Sequence, residues 1–375
     1  MKILMVPSWY PPKGGRVFSN QAEALVSIGH QVDVLILEER GVTDKQNSKI
    51  NNQTSIKVNE IRKSFYRIPK LNDFNISRFI KSYTSFFIKY LKTNKPDVIL
   101  VQSVIWAGVA IAKVALEKKI PFVIFEHRSI FLKNNFPFNN DLKLKIQFSL
   151  NSANKVLAVS NGLKNALKQF TSNAIKVVPN MINVDDFKPS TSVCKNEQFT
   201  IISVGNLIDI KGFDVLIRSF YLLKNDKIKL NIVGIGKEFN RLKQLCNDLG
   251  INQNVSFLFY LSKEALINEY NKAHIYVSSS NFETFGMTTV ESMACGLPVV
   301  ATKTAGSLDL INKNNGLLVE INSAQNLSNS FKQMIENYAN FEPENIRQEV
   351  VDKYSNGIVV AMIEKELKIC LNKNQ

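Results

Sequence analysis

The stretch from His274 to Ala301 constrains the fold more than any other part of the chain. It opens on an apolar strand, His274–Val277, and closes on a second, Pro298–Ala301. Between them, Thr288–Ala294 lacks breakers and predicts a short helix that Gly296 stops. Strand, loop, helix and strand in so short a span is the grammar of a parallel sheet. The loop then lies at the carboxyl end of a strand, where open α/β sheets bind ligands.

That loop, within Ser278–Pro298 (SSSNFETFGMTTVESMACGLP), carries chemistry. Glu283 and Glu291 stand eight residues apart, with Phe285-Gly286 between them. Gly286 lets backbone N–H groups approach a ligand. The helix that follows offers unpaired N–H groups and a positive dipole end, which suit a diphosphate. A carboxylate accepts hydroxyl hydrogen bonds from a sugar or ribose diol. Taken alone, the two glutamates read as a solvated loop charge and a helix-face charge rather than as ligands.

The alternation extends over the chain. Lys2–Pro7 is a first strand, Tyr10–Gly15 a glycine loop, Ser19–Ile28 a helix and Gln31–Leu37 a strand, which together make a mononucleotide-binding half. Helices are predicted over Ile76–Leu91, Ala107–Lys118 and Ser160–Phe170, and strands over Asp97–Gln102, Pro121–Phe125 and Lys155–Val159. His127 follows at the ligand edge of the sheet, a place where a lone histidine is often structural. The polar stretch Asp186–Gln198 marks a domain boundary. The pattern restarts with strands Phe199–Val204, Ile228–Val233 and Val255–Phe259 and helices Phe213–Leu223, Lys237–Leu249 and Lys263–Asn271. Leu308–Ile311, Gly316–Val319 and a helix at Ala324–Glu336 finish the second sheet, and Gly357–Leu371 is an amphipathic helix.

A length of 375 residues fits two domains. No apolar run reaches the ~18 residues of a membrane span, and the N-terminus reads as a strand, not a signal peptide. Four scattered cysteines without a C-x-x-C argue against structural zinc or a disulfide framework and fit a reducing cytoplasm. Three dispersed histidines make no metal cluster. The net charge of +15 is one-sided: residues 1–190 hold 28 Lys and Arg against 13 Asp and Glu, while the remainder holds 19 of each. The two halves are expected to meet different partners.

The Ser278–Pro298 string resembles the donor-sugar motif of family 4 glycosyltransferases, close to S-x-x-E-x-F-G-x-x-x-x-E-A-M-A-C-G-x-P-V-V-A. The Gly14-Gly15 loop, His127 and the Lys211-Gly212 turn extend the resemblance over nearly the whole chain, except residues 40–95. It implies the α/β GT-B fold, two Rossmann-like domains with parallel sheets facing a central cleft. Residues 1–190 are then the acceptor-binding domain and 191–355 the nucleotide-sugar-binding domain, with 356–375 crossing back as a helix onto the first. It implies that Glu283 contacts the transferred sugar and Glu291 the nucleotide ribose. Phe285, Gly286, Met287 and Thr288 meet the diphosphate, and Gly15 joins the donor site. His127, Lys211 and Glu283 are the implied catalytic residues, and Arg128 an acceptor contact. The family usually has an arginine five residues before Lys211; this chain has Asn206, which donates a hydrogen bond but carries no charge. Lys303 and Arg128 are candidate substitutes.

The implied activity is transfer of a sugar, with retention, from a UDP- or GDP-linked donor to a hydroxyl of a glycan or lipid-linked acceptor in cell-surface polysaccharide synthesis. No cofactor and no obligate metal are expected, since no D-x-D motif is present and Lys211 supplies a cation. A GT-B nucleotide-sugar epimerase is the alternative. A dehydrogenase would need more than the half fingerprint Gly234-x-Gly236. Nucleic acid is not an expected partner, although a basic nucleic-acid-binding protein would also explain the charge. The basic and aromatic residues of 62–92 point to an anionic membrane surface, hence a cytoplasmic protein peripheral on the inner face of the membrane.

Overall fold

The computed structural model describes residues 1–12, 14–40, 58–68, 72–133 and 136–372. The chain forms two units: residues 1–159, 163–181 and 357–375 make unit 1, and residues 160–162 and 182–356 make unit 2.

Unit 1 is built on a seven-stranded sheet in the order β3-β2-β1-β4-β5-β6-β7. Its strands are β1 (Lys2–Pro7), β2 (Gln31–Arg40), β3 (Asn59–Tyr66), β4 (Val98–Gln102), β5 (Phe122–Glu126), β6 (Lys155–Ala158) and β7 (Ile175–Val177). All pair in parallel. The helices are α1 (Arg16–Ser27), α2 (Asn72–Leu91), α3 (Val109–Glu117), α4 (Asn140–Ser152) and α5 (Asn161–Leu167). The chain steps from β1 to β2 in one direction and from β3 onward in the other. Right-handed crossovers therefore place α1 on one face and α2 to α4 on the opposite face. The central strands read Ile3–Val6 and Val98–Val101, fully buried apolar runs, as a sheet covered on both faces requires.

Unit 2 repeats the plan with six strands, β8 (Phe199–Val204), β9 (Ile228–Val233), β10 (Val255–Phe257), β11 (Ile275–Ser278), β12 (Val299–Thr302) and β13 (Gly316–Val319), in the order β10-β9-β8-β11-β12-β13. Its helices are α6 (Phe213–Leu223), α7 (Phe239–Asp248), α8 (Lys263–Lys272), α9 (Met287–Ala294), α10 (Ser307–Leu310), α11 (Ala324–Glu336) and α12 (Pro343–Tyr354). The last helix, α13 (Asn356–Asn372), starts where unit 2 ends and packs in unit 1. There His30 Nε2 sits 2.9 Å from Glu364 Oε1, and Lys155 lies 3.8 Å from Glu366.

Three expectations change. The polar stretch from Asp186 to Gln198 is not the boundary; it belongs to unit 2, and the chain crosses over at Met181–Ile182. The cause is α12: the Ile182 N–H bonds Tyr354 O at 2.8 Å, and the Arg347 guanidinium bonds the carbonyls of Val184 and Phe187. Second, Leu308–Ile311 is not a strand, because Ser307–Leu310 makes a helical turn. Third, the aromatic stripe of α2 faces inward. Phe79, Tyr83 and Phe87 are buried, and Tyr83 Oη donates to the carbonyls of Pro7 and Leu35 at 2.8 and 2.6 Å. Phe65 is also core, and Arg62 is paired with Glu38 and Glu60. What remains exposed in this region is Tyr66, Ile68, Phe74 and Ile88, with Arg78 over the Phe74 ring. Lys70 lies outside the described residues.

Candidate active site

In unit 2 the site grows from two loops at the carboxyl ends of neighbouring strands, β8 and β11. After β8 the chain makes a 3-10 turn, Asp209–Lys211, ended by Gly212 at φ 61°. A Cβ at Gly212 would meet Ser279 O at 2.3 Å, so only glycine lets this turn lie against the β11 loop. Two hydrogen bonds weld the loops: Ser279 Oγ to Lys211 O at 2.9 Å, and Asn281 N–H to Ile210 O at 2.8 Å. The result is a direct contact between two residues singled out separately by sequence. Lys211 Nζ lies 2.6 Å from Glu283 Oε2, and both side chains are about one-quarter exposed, at 25% and 23%.

Glu283 is also held from behind, since its carbonyl accepts the Gly306 N–H at 2.9 Å. Phe285 is buried, and Gly286 (φ 101°) is the N-cap of α9, with no side chain capping it. The first turn, Met287 and Thr288, is partly exposed, and a helix N-terminus leaves its first N–H groups without intrahelical partners. Thr288 is fixed by Tyr276 Oη, 2.7 Å from its Oγ1. One turn on, Glu291 is partly exposed and accepts from Tyr270 Oη at 3.4 Å. Both tyrosines are buried. This end of the sheet thus combines one carboxylate–ammonium pair, one helix N-terminus and one further carboxylate.

Asn206, just after β8, is exposed and holds only the local turn, its carbonyl accepting from Ile208 N–H at 2.9 Å. Lys303, considered as a substitute cation, is ion-paired with Glu320. The Gly234-x-Gly236 pair serves packing: a Cβ at Gly234 would lie 1.9 Å from Gly205 O, and one at Gly236 2.2 Å from Leu207 O. That accounts for both glycines without a dinucleotide.

In unit 1, His127 follows β5. Its Nε2 lies 2.9 Å from Gln102 Oε1, and the Gln102 amide donates to Gln21 at 2.6 Å. With Gln102 so oriented, His127 Nε2 carries the proton. Burial pushes the His127 pKa down to about 3, against a smaller opposing effect of the Asn180 side chain. The ring is neutral at pH 7. Phe18 packs on it edge-on at 4.8 Å. Glu126, fully buried, accepts four hydrogen bonds: from Ser103 Oγ and from the N–H groups of Val104, His127 and Arg128, at 2.8 to 2.9 Å. Burial raises its pKa.

Sequence reasoning passed over Glu126, Tyr270, Tyr276, Ser279 and Gly306. Only Ser279 lay inside the quoted motif. A buried tyrosine in a strand or helix looks like any core aromatic, and Glu126 is a single acid at a strand end.

Two family models match, end to end. The one described as "Glycosyltransferase Family 4" matches residues 14–186, and "Glycosyl transferases group 1" matches residues 185–356. The chain belongs to the family 4 glycosyltransferases. An uncharacterised glycosyltransferase of Methanocaldococcus jannaschii is 25% identical over 95% of each chain. The capsular polysaccharide biosynthesis glycosyltransferase CapM of Staphylococcus aureus is 25% identical over 62% of this chain and 66% of that protein. Among solved structures, sucrose-phosphate synthase from Thermosynechococcus elongatus superposes with a TM-score of 0.83 at 19% identity, over 97% of this chain and 98% of that one. HepE of Anabaena, in complex with UDP, gives 0.77 at 21% identity, over 98% and 100%. The architecture of this glycosyltransferase is that of GT-B enzymes. The epimerase, dehydrogenase and nucleic-acid readings gain nothing from these likenesses.

Proposed function

We propose that this glycosyltransferase moves a sugar from a UDP- or GDP-linked donor to a hydroxyl of a glycan or lipid-linked acceptor, with retention of configuration. The observation that carries the reading is the Lys211–Glu283 pair beside the open N-terminus of α9. In this reading unit 2 takes the donor. Glu291 accepts from the ribose diol, and the N–H groups of Gly286, Met287 and Thr288, aided by the helix dipole, meet the diphosphate. Glu283 accepts from hydroxyls of the sugar. Lys211 stabilises the negative charge that develops on the leaving phosphate, a role metal ions fill elsewhere. In unit 1, Gly15 and the neutral His127 keep the roles the family resemblance implies, and this unit receives the acceptor, with Arg128 among its contacts. No activated nucleophile is assigned; the leaving phosphate deprotonates the acceptor hydroxyl on the face it departs from.

The likeness to CapM and the complex of HepE with UDP support a nucleotide-sugar donor and a surface-polysaccharide role. A membrane-bound acceptor is part of the proposal. Tyr66, Ile68 and Phe74 are exposed among Lys63, Arg67, Arg78 and Lys81, a combination suited to an anionic leaflet. No described helix is long and apolar enough to cross a membrane.

The deciding experiment is a panel of UDP- and GDP-sugars, scored for donor hydrolysis and for thermal stabilisation. One donor should stabilise the wild type and be hydrolysed slowly, and Lys211→Ala should abolish hydrolysis. A panel that yields no binding and no turnover overturns the reading.

A further inference from the structure

Arg128 has an unresolved need for a partner. Its guanidinium is largely buried against the Trp9 ring, 5.1 Å from the centroid, and its Nη1 is buried with no hydrogen-bond partner. Among the described residues its side chain makes no hydrogen bond or ion pair. Glu126, the nearest acid, acts on its charge, but that carboxylate is occupied by the four donors already named. A stacked ring does not satisfy an N–H, and an unpaired buried charge is costly. Native structures keep such groups where a ligand completes them.

The surroundings indicate which ligand. Trp9 packs on Phe18 at 4.9 Å, and Phe18 packs on His127. The same tryptophan backs the glycine loop: a Cβ at Gly15 (φ 77°) would meet Trp9 O at 2.8 Å. Gly15 is the N-cap of α1, a twelve-residue helix with no capping side chain and no acid in its first turn. Arg16 occupies that turn instead. The guanidinium fork held on the Trp9 ring favours an oxyanion such as phosphate.

We propose that Arg128, backed by Trp9, is a subsite for a phosphate group carried by the acceptor. This rests on unit 1 being the acceptor unit. It specifies the acceptor class as a phosphorylated glycan or a phosphate-linked lipid, distinct from a neutral sugar.

The chain has two tryptophans, Trp9 and Trp106, so a Trp106→Phe background reports on Trp9 alone. In it, inorganic phosphate should change Trp9 fluorescence saturably, while chloride and acetate at equal ionic strength should not. Arg128→Gln should weaken phosphate binding at least tenfold, and Arg128→Lys, which keeps the charge without the fork, should fall between. Calorimetry on wild-type protein repeats the measurement without the background substitution. An unsaturable response, equal binding in Arg128→Gln, or acetate binding as well as phosphate overturns the proposal. So does competition between phosphate and UDP for the same Arg128-dependent signal, which would give the guanidinium to the donor. Phosphate is titrated with no donor present, so failure of the transferase reading cannot masquerade as failure here.

Discussion

The Lys211 ammonium and the Glu283 carboxylate meet at 2.6 Å across 72 residues of sequence, on loops that leave neighbouring strands of unit 2. Each neutralises the other. In the proposed reaction a donor separates them, the sugar engaging Glu283 and the diphosphate engaging Lys211. Glu283→Gln should leave UDP affinity unchanged or higher, since the cation is released, yet reduce turnover by about a hundredfold or more. Lys211→Ala should lower both. Stopped-flow turnover and calorimetry separate the two, and a Glu283→Gln variant with weakened UDP binding and normal turnover would reverse the assignment.

Glu291 predicts a binding phenotype. Loss of a hydrogen bond to a charged group costs about 1.5–3 kcal/mol, roughly ten- to a hundredfold in Kd. Glu291→Ala should therefore weaken binding of the donor's nucleoside diphosphate by that factor while circular dichroism stays native. Tyr270→Phe, which keeps the carboxylate and removes the hydroxyl's bonds to it at 3.4 Å and to Thr288 O at 3.3 Å, should cost less.

Stability should rise with pH in the acid range. His127 and His274 are held by burial at about 3 and about 4, against 6.5 for an unperturbed histidine. Between those values the unfolded chain binds protons that the folded one does not, so stability is lost as pH falls from 6.5 toward 3. Denaturant midpoints at pH 7.5 and 5 measure the slope. His127→Gln should flatten it, and His274→Gln should flatten it further. An unchanged slope in the double variant would refute the burial of both neutral rings.

Activity should persist in EDTA, because Lys211 is assigned the charge on the leaving diphosphate. Complete loss, restored by magnesium or manganese, would transfer that duty to a metal.

Vesicle co-sedimentation tests the membrane surface. Binding should require anionic lipid, weaken as salt rises, and fall when Phe74 is changed to Ser or when Lys63 and Lys81 are changed together. Arg62→Ser is a control expected to matter little at the membrane, since its charge is matched by Glu38 and Glu60. Protein that stays in the supernatant at low salt points to a soluble acceptor.

The second unit was the more legible of the two. Its strands are short apolar runs cut by glycines; Glu283 and Lys211 stand on the loops that follow two of them, and Glu291 in the helix one turn on. The missed strand β3, NEIRKSFY, is an edge strand bonded only to β2; Phe65 is its one buried residue, so it shows no apolar run. An apolar stripe at helical spacing could not by itself tell core from membrane for α2, because both destinations want the same stripe. The Ser103–Gly108 loop has Ser103 at φ 73° and Trp106 at φ 78°, non-glycine residues in conformations no propensity would assign. Nor did any residue type announce that Glu126 gathers four donors. That arrangement depends on β4 and β5 being adjacent.

The two ends of unit 1 are separated in synthesis by all of unit 2. Val359, Val360, Ile363, Leu367 and Cys370 of α13 are buried, and α13 is made after unit 2. Unit 2, by contrast, is complete once Asn356 has emerged. During translation the second unit therefore can reach its final fold first, while the first waits with an unfilled apolar face for α13. A fragment ending at Met181 would inherit that exposed face permanently, and a ribosome stalled before α13 would display it to chaperones.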